Sequence, residues 1–223
     1  MAGRGCMSPE DHKEWLQESY ERISNLILAK AQNEVRLIGV TKGLGVEAIN
    51  VAKDLGIKDF GENYAQELLE KESLVSEDIN WHFIGQIQSN KIRKVSHVVS
   101  SWHSVTSIKI AKEIHKRNEG ASILLQVSIK GPSNRKGFKI EEVPNVVNEL
   151  RNEGVNLSGL MTMGVPEDKE ETRESFVKLR QLADALELRE CSMGMSGDFE
   201  IALESGATMI RIGSAIFGNK RAD

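Results

Sequence analysis

The stretch VPNVVNELRNEGVNLSGLMTM (143–163) contains the structural unit that decides the fold. From Val143 to Leu150, apolar residues recur at the spacing of one helix face, and GVNLSGLMTM (154–163) has the apolar content of a buried strand. Gly154 lies between the two, and glycine adopts the left-handed conformation that ends a helix without a Cβ clash. The sequence therefore predicts a helix that turns directly into a strand.

The same unit recurs along the chain. Helical patterns end at Gly56, Gly120, Gly154 and Gly206, and an apolar segment follows each glycine. Strands that alternate with helices pair in parallel, and eight of them predict an α/β fold of the (β/α)8 TIM-barrel type. An open doubly wound sheet is the alternative, but no composition shift divides the chain. The predicted strands lie at 35–40, 57–63, 81–86, 97–105, 122–129, 154–163, 188–195 and 207–213.

An extra helix precedes the first strand. Ser8 is a good N-cap, Pro9 suits the first helical position, and apolar residues then follow at helical spacing as far as Lys30. We therefore predict a helix over residues 9–30. Residues 1–8 are expected to form a flexible tail, and residues 9–223 a single barrel domain.

Composition and charge exclude several classes of protein. The net charge is −4, from 29 basic and 33 acidic side chains, so no basic surface for nucleic acid is expected. No apolar run approaches the ~18 residues that span a bilayer, and the first residues lack the apolar core of a signal peptide. Cys6 and Cys191 show neither a disulfide framework nor zinc spacing. We therefore expect a cytoplasmic protein without membrane or nucleic-acid partners.

A lysine lies where such barrels carry their chemistry, at the carboxyl end of a strand. Lys42 directly follows the first predicted strand in LIGVTKG (37–43). Apolar neighbours would desolvate its amine and free it to attack an aldehyde. A solvated lysine at a strand end is the alternative, and the local pattern alone favours it because most lysines are exposed.

Two glycine-containing loops follow the last two predicted strands. SMGMSGDFE (192–200) and RIGSAIFG (211–218) offer backbone N–H groups that can approach a phosphate closely, and these loops form the usual phosphate site of the fold. Two tight turns without a ligand are the alternative, although their adjacency favours phosphate.

Arg211 needs an acceptor if it points inward, and Glu62 is one candidate. Together with Lys42, the loops suggest either a Schiff-base aldolase for sugar phosphates or a site for pyridoxal 5′-phosphate.

Six motifs in order closely resemble those of the pyridoxal phosphate homeostasis protein family. The resemblance implies a barrel like the N-terminal domain of alanine racemase, with one covalently bound pyridoxal 5′-phosphate. It extends from about Val35 to Gly218. The motifs are VTK (40–42), DFGENYAQEL (59–68), WHFIGQIQSNK (81–91), GLMTM (159–163), SMGMSGDFEIAL (192–203) and GATMIRIGSAIFG (206–218).

The resemblance also implies the roles of particular residues. Lys42 is the catalytic-site lysine that forms the Schiff base, and Arg211 faces the pyridine nitrogen. Asn63 lies near the cofactor. The phosphate contacts fall on Ser196, Gly197, Gly213 and Ser214. Two segments depart from the family: GLG (43–45) lacks the usual proline, and Arg135 replaces the usual lysine, with Lys136 adjacent.

The implied function is intracellular homeostasis of pyridoxal 5′-phosphate (vitamin B6) and of amino acids. The family buffers or delivers the cofactor without conventional enzymatic turnover, which makes apo-enzymes that use the cofactor the expected partners of a monomer. The alternative is a pyridoxal 5′-phosphate-dependent amino-acid racemase. A racemase needs a second acid or base, but Tyr64 is expected to pack on a helix and His82 to lie in the core or at its rim. His103, near a strand end, is placed within reach of the mouth.

Overall fold

The computed structural model describes residues 9–75, 78–130 and 136–218. Eight parallel strands form a closed barrel in the order β1 to β8, and β8 returns to pair with β1. The predicted (β/α)8 barrel is therefore confirmed, and closure excludes the open sheet. The strands are β1 Arg36–Val40, β2 Asp59–Glu62, β3 Asn80–Phe83, β4 Val99–Val105, β5 Ser122–Gln126, β6 Leu157–Met161, β7 Glu190–Ser192 and β8 Met209–Ile212.

Helices surround the barrel, and the predicted first helix is confirmed as α1 Pro9–Lys30. The expected tail at residues 1–8, including Ser8, lies outside the described residues. No described helix has the length and apolar character needed to cross a membrane. The others are α2 Val46–Asp54, α3 Ala65–Glu72, α4 Ser89–Val95, α5 Ile108–Arg117, α6 Val143–Asn152, α7 Lys169–Ala185, α8 Phe199–Glu204 and α9 Ser214–Phe217, with a 3₁₀ turn at Ile140–Glu142.

Strand alternation divides the buried side chains into two sets. Successive residues of a strand point to opposite faces, so one set packs outward against the helices. Phe60, Trp102 and Ile123 belong to this outer core and are at most 1% exposed. The other set fills the barrel interior, where Ile38, Leu124, Met161 and Met209 form a separate apolar cluster.

Glycine ends three of the four helices where the sequence predicts it. Gly56, Gly154 and Gly206 have φ angles of 95°, 74° and 85°, the left-handed region that favours glycine. The expectation fails at Gly120, where φ is not positive. The chain leaves α5 at Asn118 instead, and the side chain of Asn118 accepts a hydrogen bond from the Gly120 N–H. An asparagine side chain thus takes over the turn.

Candidate functional site

A cavity of about 680 Å³ opens at the carboxyl end of the barrel, a volume typical of small-molecule sites. All seven residues that the sequence predicts for the site line it together: Lys42, Asn63, Ser196, Gly197, Arg211, Gly213 and Ser214. The remaining lining comes from the ends of other strands. These residues are Val40, Ile84, Gly85, Gln86, Ser104, Thr106, Gln126, Lys136, Met161, Met163 and Met195.

Lys42 lies in the loop between β1 and α2, and it is exposed. This agrees with the solvated lysine that the local pattern favours, and not with a desolvated amine among apolar neighbours. Its backbone is nevertheless well held. The Gly43 N–H donates to Glu67 Oε1 at 2.5 Å, and the Thr41 carbonyl accepts from Lys71 Nζ at 2.6 Å. The lysine thus combines an exposed side chain with a backbone held by hydrogen bonds on both sides.

Lys71, on α3, is a buried cation that sequence reasoning missed. Its Nζ lies 2.6 Å from both Glu62 Oε1 and Glu67 Oε1, and the Thr41 hydroxyl also donates to Glu62 Oε1 at 2.6 Å. Lys71 is 5% exposed and Glu62 is fully buried. Burial raises the pKa of Glu62, whereas its bonds to Lys71 and Thr41 act in the opposite direction. This ion-pair cluster fastens β1, β2 and α3 together beside the Lys42 loop.

The expected pair between Arg211 and Glu62 is wrong, and strand alternation explains why. Glu62 follows the inward-facing Gly61 and points outward to α3, whereas Arg211 points into the barrel. Arg211 Nη1 donates to Ser192 Oγ at 2.5 Å, and Nη2 donates to the Thr162 carbonyl at 3.2 Å. Burial lowers the pKa of Arg211 to about 10, so the guanidinium remains a cation at neutral pH.

The loops after β7 and β8 form one unit of the cavity lining, next to the strand that leads to Lys42, since β8 pairs with β1. Ser196 Oγ accepts from the N–H groups of Gly213 at 3.3 Å and Ala215 at 3.2 Å, which ties one loop to the other. Gly194 has a φ of 90°, and a Cβ there would lie 2.6 Å from the Cβ of Ala202. The small residues therefore permit the tight path that brings hydroxyls and backbone N–H groups to the cavity.

Asn63 reaches the cavity because Gly85 lets its backbone approach. A Cβ on Gly85 would lie only 2.1 Å from the Asn63 carbonyl oxygen. The motifs DFGENYAQEL (59–68) and WHFIGQIQSNK (81–91) therefore depend on each other. The first supplies the amide of Asn63, and the second supplies, at Gly85, the space for its backbone.

The prediction for His82 is confirmed, and those for His103 and Tyr64 are wrong. His82 is 1% exposed, as predicted for a core histidine, but His103 is fully buried in the barrel and does not line the cavity. Its Nδ1 lies 2.8 Å from Ser192 Oγ and its Nε2 lies 2.9 Å from His82 Nδ1. Tyr64 is 65% exposed instead of packed on a helix. The prediction of a mouth histidine fails because β4 continues to Val105, which leaves the inward-facing His103 below the mouth.

Sequence reasoning also missed three polar residues at the mouth. Ser104, Thr106 and Gln126 line the cavity from β4, the residue following it, and the last position of β5. Their positions at strand ends were a usable signal. Lys136, the lysine adjacent to the family departure, lines the cavity as well, whereas Arg135, the departure itself, lies outside the described residues.

Comparisons with known proteins agree over nearly the whole chain. The family model "Alanine racemase, N-terminal domain" matches residues 15–221. A "Pyridoxal phosphate homeostasis protein" from Aquifex aeolicus is 36% identical over 225 residues, which cover 93% of this chain and 95% of the relative. One from Synechocystis sp. is 40% identical over 214 residues, with 87% and 95% covered.

Solved structures give the same result. PipY from Synechococcus elongatus, with PLP bound, is 29% identical with a TM-score of 0.79, and the match covers 91% of this chain and all of PipY. An alanine racemase from Clostridium difficile 630 is 15% identical with a TM-score of 0.73, covering 94% of this chain and 58% of the racemase. The latter likeness concerns the fold alone.

We expect Lys71→Met to lower the free energy of unfolding by about 3–5 kcal/mol, because it leaves the Glu62 carboxylate buried without its cation. Urea unfolding followed by circular dichroism measures the change. Lys94→Met, at an exposed lysine of α4, is the control and should change stability by less than about 0.5 kcal/mol. A loss below about 1 kcal/mol for Lys71→Met would contradict the assigned ion pair.

We also expect stability to depend on pH through His103. Burial is the largest cause that holds its pKa well below 6.5. Below about pH 6.5 the unfolded chain therefore binds a proton that the folded chain does not. The free energy of unfolding then decreases by up to about 1.4 kcal/mol for each pH unit by which the solution is acidified. His103→Gln should flatten this slope in urea titrations between pH 5 and 7 (about the range in which histidine titrates). His97→Gln, at an exposed histidine, should keep it.

Proposed function

Because the chain belongs to the pyridoxal phosphate homeostasis protein family, built on the fold of the alanine racemase N-terminal domain, we propose that it binds pyridoxal 5′-phosphate in the barrel cavity. One observation carries the proposal. A primary amine, Lys42, and the two joined loops around Ser196 line a single cavity, with the Arg211 guanidinium in the same lining. Pyridoxal 5′-phosphate has an aldehyde, a phosphate and a ring nitrogen that these groups match.

Lys42 supplies the covalent attachment. Its amine adds to the aldehyde carbon, and loss of one water leaves a C=N double bond, the Schiff base, on Nζ. The exposed side chain of Lys42 has the freedom to reach the aldehyde, while Thr41 and Gly43 keep its backbone in place. The ion-pair cluster of Lys71 therefore serves the attachment without contacting the cofactor.

The phosphate is held by the two loops after β7 and β8. Ser196, Gly197, Gly213 and Ser214 belong to these loops and line the cavity. Hydroxyl and N–H donors suit a dianion, and small residues allow close approach. Asn63 completes the site from the end of β2, next to the ring.

Arg211 faces the pyridine nitrogen and keeps it unprotonated. A guanidinium with a pKa of about 10 donates hydrogen bonds and accepts no proton. Most enzymes that use this cofactor place a carboxylate there instead, which keeps the ring protonated as an electron sink. Arg211 therefore favours holding the cofactor over stabilising a carbanion on it.

We infer that the protein acts in homeostasis of the cofactor, as a single domain of residues 9–223, and not by conventional turnover. Among the described residues, the ionisable side chains in the cavity lining are Lys42, Lys136 and Arg211. A racemase needs a second acid or base opposite its lysine, and Tyr64 is turned to solvent. We further propose that the protein is a cytoplasmic monomer and that it passes the cofactor to apo-enzymes, as the family's function implies.

The protein loaded with pyridoxal 5′-phosphate should show a visible absorption band that borohydride bleaches. Lys42→Ala should lose the band, because it removes the amine that we assign to the C=N bond. Mass spectrometry of the reduced protein should place the adduct on the peptide that contains Lys42. Lys94→Ala is the matched lysine control and should keep the band. A band unchanged in Lys42→Ala would overturn the assignment of the lysine.

The racemase alternative makes a separate prediction. In deuterium oxide, the loaded protein should leave the α-hydrogen of L-alanine and L-serine unexchanged, because a ring nitrogen kept unprotonated by Arg211 would stabilise the required carbanion poorly. Proton NMR follows the α-hydrogen, and an alanine racemase serves as the positive control. Steady exchange that disappears in Lys42→Ala would establish the enzyme instead of the carrier.

A further inference from the structure

Four consecutive hydrogen bonds run through the barrel interior and end at Arg211. Ser192 is fully buried, both histidines are at most 1% exposed, and the Asp59 carboxyl is 15% exposed. We call this series the interior chain. It joins Arg211 Nη1 to Ser192 Oγ (2.5 Å), Ser192 Oγ to His103 Nδ1 (2.8 Å), His103 Nε2 to His82 Nδ1 (2.9 Å) and His82 Nε2 to Asp59 Oδ1 (2.8 Å).

When Nδ1 of each histidine accepts and Nε2 donates, one direction of donation runs through the whole interior chain. Arg211 only donates, so Ser192 accepts from it and gives its own proton to His103 Nδ1. Burial keeps His103 neutral by lowering its pKa, so its Nε2 donates to His82 Nδ1. His82 in turn donates from Nε2 to Asp59. Burial acts to raise the pKa of Asp59, but the His82 bond and nearby positive charge hold it below its ordinary value, so it accepts as a carboxylate.

The interior chain also connects parts of the barrel that are not neighbours. Its His103–Ser192 bond spans the interior from β4 to β7, which are separated by β5 and β6. Asp59 begins β2 at the amino end of the barrel, and Arg211 lies at the cavity. Nothing in the proposed binding of the cofactor uses Ser192, His103 or His82, although each is buried, polar and fully paired in this series.

We propose that Ser192, His103 and His82 are positioning residues that fix the Arg211 guanidinium for its contact with the ring nitrogen of the cofactor. The inference rests on the proposed function and extends it to residues outside the cavity. Bonds from Nη1 to Ser192 and from Nη2 to Thr162 define the plane of a rigid guanidinium, and three of its five N–H groups are left for other contacts. A donor held in place loses less conformational freedom when its acceptor binds.

The test compares two ligands that differ at one atom. Pyridoxal 5′-phosphate has the ring nitrogen, and its 1-deaza analogue has a C–H there. The dissociation constant of the 1-deaza analogue divided by that of pyridoxal 5′-phosphate isolates the nitrogen contact. Attachment to Lys42 and phosphate binding are common to both ligands. Titrations followed by absorbance or tryptophan fluorescence give both constants. We expect Ser192→Ala and His103→Leu to reduce the ratio by about tenfold, the effect of weakening one charge-assisted hydrogen bond.

Two further variants separate positioning from support of the fold. His103→Gln keeps a polar group in the interior chain and should recover part of the ratio. Ser175→Ala, at another buried serine, on α7 and outside the cavity, should leave the ratio unchanged. If Ser192→Ala and His103→Leu weaken both ligands equally, the interior chain only supports the barrel and the inference is wrong. If the unaltered protein binds neither ligand, the proposed function itself fails.

Discussion

Alternation of side chains along the strands of a closed barrel governs where every polar group of this protein can act. A closed sheet has no edge, so each strand residue faces either the interior or the helices. Arg211 and Glu62 lie on opposite sides of this wall, which is why they do not pair. The wall therefore separates two buried polar networks, one between β2 and α3 and one inside the barrel.

The two networks support two parts of one cavity, which lie at the ends of the neighbouring strands β1 and β8. Outside the wall, Lys71 joins Glu62 and Glu67 and holds the backbone on both sides of Lys42. Inside the wall, the interior chain leads to the guanidinium of Arg211. Neither network contributes a lining residue other than Arg211 itself. The groups that bind are thus few, while the groups that hold them in place reach across the whole barrel.

Much of this arrangement was accessible from the sequence. Helix-glycine-strand units predict the barrel, and the position of a residue after its strand predicts that it lines the mouth, which holds for Lys42, Ser196 and Ser214. The resemblance added Asn63. The sequence did not predict which buried side chains form hydrogen bonds with each other. Lys71 pairs with Glu62, and His103 pairs with Ser192, which lies 89 positions away. Such pairs depend on three-dimensional register, which no local pattern contains.

The Lys71 cluster also limits the evolutionary paths open to this family member. An apolar replacement of the whole cluster would be tolerated or even stabilising, as for other buried ion pairs. A single step such as the loss of Lys71, however, leaves a buried charge without its partner, since Lys71 Nζ lies 2.6 Å from both Glu62 Oε1 and Glu67 Oε1. These three positions are strongly coupled and their effects are not additive. They are therefore expected to change together in relatives or not at all, and to appear as a covarying set in sequences from distant lineages.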